Sequence, residues 1–206
     1  MQTMVPLKNK IQRLDLSHWK DIEDLYFACE DAVRSRIIAK GVDKPAEPEA
    51  VEKIWQLWSN AIKRYYLIGD EFHYLYGIWD DENVLQTMLG WRCDLPAPYN
   101  NDWVIVYMKS RPESTLGFLE PLWRLMFEQC ETRGFDKWHA IVSKDRYTKF
   151  DAFERRFTPD IHSRYKYETL VDMPPETQPT IEWVWAMMGR NLLKSHHEVR
   201  TGTRIK

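Results

Sequence analysis

The sequence predicts an α+β (mixed α/β) domain, and three observations carry that prediction. Stretches with apolar residues at helical spacing interleave with stretches at strand spacing, so helices and strands share one core. The resulting order, β-α-α-β-β-β-α-β-α-β-β, calls for one central sheet, mixed but mostly antiparallel, flanked by helices. A length of 206 residues suits one large domain, and ten Trp, ten Tyr and eight Phe supply an aromatic interior.

The elements follow in order. Residues 8–15 alternate weakly and read as a first strand. Ser17 stands at an N-cap position, and Trp19, Ile22, Leu25, Tyr26, Cys29 and Val33 then recur at spacings of three and four. Residues 41–49 are a Pro-punctuated loop before a second stripe of Val51, Ile54, Trp55, Trp58, Ile62 and Tyr65. At Phe72 the period drops to two, so residues 72–79 and 84–91 make a β-hairpin about a polar turn, residues 80–83. The run from Trp103 to Met108 is continuously apolar, as in a strand at the middle of a sheet.

Leu119, Leu122, Trp123, Met126 and Cys130 define the next helix, with Pro121 in its first turn and Gly134 at its C′ position. Residues 138–142 read as a strand, and 148–157 as a short helix stopped by Pro159. Residues 164–173 and 180–188 read as a closing strand pair. Polar and basic residues follow Gly189. The expected organisation is therefore a domain over 1–189 and a basic C-terminal tail over 190–206.

Several classes of function are disfavoured. A formal charge of −2 argues against general nucleic-acid binding. No apolar run reaches the ~18 residues a membrane span needs, and the first ten residues lack a secretory apolar stretch, so a cytoplasmic location is expected. Cys29, Cys93 and Cys130 read as separate reduced thiols. His18, His73, His139 and His162 stand isolated, and His196-His197 lies in the tail, so no metal is expected. The tail, with Arg155 and Arg156, suits an acidic protein partner.

From about Lys8 to Met188 the element order resembles the GCN5-related N-acetyltransferase (GNAT) fold, with a looser likeness to small GNAT-like proteins of tailed phages. That family cradles the pyrophosphate of acetyl-CoA on a loop Gln/Arg-x-x-Gly-x-Gly/Ala that opens a helix, where backbone N–H groups meet the helix's positive end. Counted back from Gly134, the matching stretch runs from Ser114 to Leu119 and keeps only Gly117. Ser114 replaces the cationic or amide residue. Leu119 replaces a small one, and its side chain is expected to crowd a phosphate. Glu113 and Glu120 flank the loop, with Arg111 and Lys109 as compensating cations.

The family's second landmark is Asn-x-x-Ala-x-x-x-Tyr, whose Tyr protonates the leaving thiolate. Here Arg146 falls at the Asn and Phe153 at the Tyr, and Phe has no proton to give. Tyr147 lies nearby. As base, the resemblance offers His73 or the turn carboxylates Asp80, Asp81 and Glu82. The expectation is a GNAT-fold protein without a cofactor that acts by protein binding, a phage virion or assembly component. Its location would then be the virion. The alternative is an acyl-CoA-dependent N-acetyltransferase that binds acetyl-CoA at Ser114, Gly117 and Leu119, with His73, Glu82 or Tyr147 in catalysis.

Overall fold

Seven strands, β1 (Ile11–Arg13), β2 (His73–Trp79), β3 (Leu85–Arg92), β4 (Asp102–Ser110), β5 (Lys137–Ser143), β6 (Tyr165–Leu170) and β7 (His197–Arg204), pair in the order β1-β2-β3-β4-β5-β7-β6. All pairings are antiparallel except β4 with β5. The helices with full bounds are α1 (Trp19–Ala39), α2 (Leu119–Thr132), α3 (Tyr147–Phe157) and the single turn α4 (Pro159–His162), and described residues between 52 and 64 are helical too. This computed structural model describes residues 10–39, 71–94, 100–112, 116–143, 147–170 and 197–206, with residues 52, 55, 56, 59, 60, 62–64, 66, 67 and 114. The expected loop at 41–49 and strand at 180–188, with Trp183 and Trp185, lie outside them. The mixed, mostly antiparallel sheet expected from the element order is the one observed.

Alternation assigns the two faces. Trp91, Trp103, Ile105, Trp138 and Ala140 pack against Leu122, Trp123, Met126 and Phe127 of α2, and Phe153 of α3 joins them. Val104, Val106 and Tyr107 face the other way, against Ile22, Leu25 and Tyr26 of α1 and against Trp55 and Ile62. Residues 55 and 62 are helical, in keeping with the second stripe. The α2 face is an aromatic core: Trp123 meets Trp138 edge-on at 6.4 Å, and Trp103 meets Phe127 at 5.7 Å.

Two turns confirm local chemistry read in the sequence. Gly134 closes α2 with φ +83°, a left-handed position that glycine tolerates without strain, and Asn83 takes φ 59° in the β2–β3 turn. No described helix is long and apolar enough to cross a membrane.

The expected tail is corrected. Residues 197–204 are β7, paired with β5 on one side and β6 on the other. Its residues read as polar because its inward charge, Arg200, is compensated from another element. Arg200 has no solvent exposure, and Nη2 donates to Glu154 Oε2 at 2.5 Å and to Asp151 Oδ1 at 3.1 Å. Gly202, directly opposite Trp138, is required by close approach, since a Cβ there would sit 2.2 Å from Trp138 Nε1.

Candidate functional site

The sheet is divided where its one parallel pair ends. β4 and β5 pair from Asp102↔Lys137 to Ile105↔Ala140, and their remaining residues have no partner in each other. The cause lies in β4. Gly90 of β3 stands opposite Tyr107 and Trp91 opposite Ile105, so Val106 is an extra residue, a β-bulge at the point of parting. Val106 and Tyr107 consequently both face α1. Beyond the bulge, no described strand pairs with β4 on its β5 side.

α2 begins soon after β4 in the chain. A 3-10 turn, Leu116–Phe118, leads into Leu119, and the N-cap residue Phe118 offers no side-chain hydrogen bond to the helix's first N–H groups. Leu119 does not crowd them, as its substitution for a small residue implied. Its side chain is buried in the α2-face core, and Phe118 packs against the same core. Gly117 stays outside the left-handed region. Ser114 sits in the turn before it, its N–H donating to Arg111 O at 3.0 Å.

The charged neighbours are placed differently from expectation. Arg111 Nε donates to Leu85 O at 2.8 Å, and the Lys109 ammonium lies over the Tyr26 ring at 4.9 Å on the α1 face. Neither is a phosphate cation by position. Glu120 accepts from Arg124 Nε at 3.0 Å, and Arg124 also reaches Asp160 at 2.8 Å, so the helix's first-turn acid is neutralised within the fold.

The catalytic candidates scatter. His73 is buried at the start of β2, in the register row His73–Arg92–Val104–His139, which belongs to the paired end of the sheet. Its Nε2 lies 3.5 Å from Asp94 Oδ2, a carboxylate that Arg92 also grips. Glu82 is exposed in the β2–β3 turn, where its N–H donates to Asp80 Oδ1 at 2.9 Å. Tyr147 opens α3. Phe153 is buried, stacked on Phe157 at 5.5 Å and edge-on to Trp123 at 6.0 Å.

Two constellations escaped sequence reading. His139 joins Asp102, its Nε2 lying 2.7 Å from Asp102 Oδ2, and Thr201 Oγ1 lies 3.0 Å from its Nδ1. These three residues come from β4, β5 and β7, so only the pairing order brings them together. His162, also read as isolated, lies in a cluster under α3. Its Nε2 is 3.6 Å from Asp151 Oδ1, and its ring stacks on Tyr167 at 4.6 Å.

Burial pushes the Glu154 carboxyl in that cluster up to about 8, against the pull of Arg200. Burial, with the Arg155 charge, holds His162 below its ordinary value. Asp151 is held low because Arg155 and Arg200 outweigh its burial. Asp151, Glu154 and His162 offer ligand atoms within 4.8 Å of one another, the one such group among the described residues. Arg200 occupies the place of a cation between the two carboxylates.

Comparison with solved structures places this architecture. The chain is similar to PaiA N-acetyltransferase from Thermoplasma acidophilum in complex with coenzyme A, with TM-score 0.56 and 12% identity over 95% of this chain and 98% of that one. It is also similar to the ribosomal-protein-S18-alanine N-acetyltransferase of Escherichia coli, with TM-score 0.51 and 8% identity over 95% and 93%. A GCN5-related N-acetyltransferase from Kribbella flavida matches with TM-score 0.51 and 10% identity over 95% and 97%. The chain has the GNAT fold. No protein-family model and no curated protein matches the sequence.

Proposed function

We propose that this chain binds an acyl-CoA in the gap between β4 and β5 and transfers the acyl group to an amine. One observation supports the reading: β4 leaves β5 at the Val106 bulge, and the N-cap residue of α2, Phe118, makes no side-chain hydrogen bond to the helix. The residues present fit the group. The α2 N-terminus supplies N–H donors and the positive end of a helix dipole to a pyrophosphate, and Leu119 is withdrawn into the core. The backbone of β4 past Val106 supplies donors and acceptors to an extended amide chain. An N–H there is also suited to a developing oxyanion.

A bound acyl-CoA supplies a thioester, an electrophile whose leaving group is a thiol. Thiols ionise near pH ~8.5, so the leaving group departs without an obligatory acid. The missing phenol at Phe153 therefore costs rate, within the ~10²–10⁴ of a general acid, and does not remove the reaction. The non-catalytic reading, a protein-binding component of a phage particle, drew on the lost loop glycines and Tyr, on the aromatic surplus and on a basic tail. Residues 197–204 lie inside the sheet, so the tail lends that reading less support.

Thermal melting with acetyl-CoA tests the proposal. At 100 times its dissociation constant a ligand of the folded state adds ~2.7 kcal/mol. A clear rise in Tm is expected, and an unmoved Tm at millimolar acetyl-CoA returns the chain to the non-catalytic reading.

A further inference from the structure

We draw no further inference here: the strongest candidate, the side-chain cluster of Asp151, Glu154 and His162 where α3 and α4 meet β6 and β7, is an acidic cluster whose place for a cation the buried Arg200 guanidinium already fills.

Discussion

The paired and parted halves of β4 and β5 differ in what holds them. In the paired half, Trp103 lies opposite Trp138, Trp138 opposite Gly202, and Gly202 opposite Tyr167, so one register row carries three aromatic rings across four strands. Only a glycine allows it, and Trp138 meets Tyr167 across Gly202 at 6.0 Å. In the parted half, the same two strands share no hydrogen bonds, and the bulge at Val106 turns two successive residues of β4 toward α1. The seam is locked by side-chain volume up to Ile105 and Ala140 and opened by one inserted residue after them. The gap is thus a built feature of an otherwise rigid sheet, which suits a ligand site that needs little reorganisation on binding.

The largest expected effect comes from breaking the seam's far side. Arg200 stands opposite Ala140, the last β5 residue paired with β4, and ties β7 to α3 through Glu154 and Asp151. Arg200→Met leaves the almost wholly buried Glu154 carboxyl without its cationic partner. We expect a loss of about 3–5 kcal/mol in denaturant unfolding, with recovery of part of it when Glu154→Leu is added. An unchanged midpoint for Arg200→Met would mean that β7 is not anchored by this pair.

A smaller effect tests the site against the GNAT motif that the sequence resembles. Phe153→Tyr restores the phenol at the position that supplies a general acid in GNAT enzymes. The ring is enclosed by Trp123 and Phe157, so the new hydroxyl enters an apolar cluster. It should destabilise the fold by about 1–3 kcal/mol and leave acyl-transfer rates unimproved. A rate gain with no loss of Tm would place Phe153 on the gap rather than in the core.

Local periodicity made much of this legible. The stripe from Trp19 reads directly as α1, the change of period at Phe72 as the β2–β3 hairpin, and Gly134 as the stop of α2, because each is a contest between neighbours in sequence. The α2-face core was likewise visible in Leu122, Trp123 and Met126. β7 was hidden because its buried residues include an arginine, Arg200, and a charge looks exposed until its partner is known. Asp102 and His139 are 37 residues apart and meet only through parallel pairing, which no local pattern encodes. The burial of Leu119 was hidden for a related reason. Sequence gives the size of that side chain, while packing against Leu122 and Trp123 decides where it goes.

Hydrogen exchange read amide by amide along β4 tests the gap most directly. The account predicts that acetyl-CoA protects amides of residues 106–110 and of the first turn of α2, while amides of residues 102–105, already in the seam, do not change. Protection confined to other strands, or none anywhere at saturating acetyl-CoA, would contradict a ligand held where β4 and β5 part.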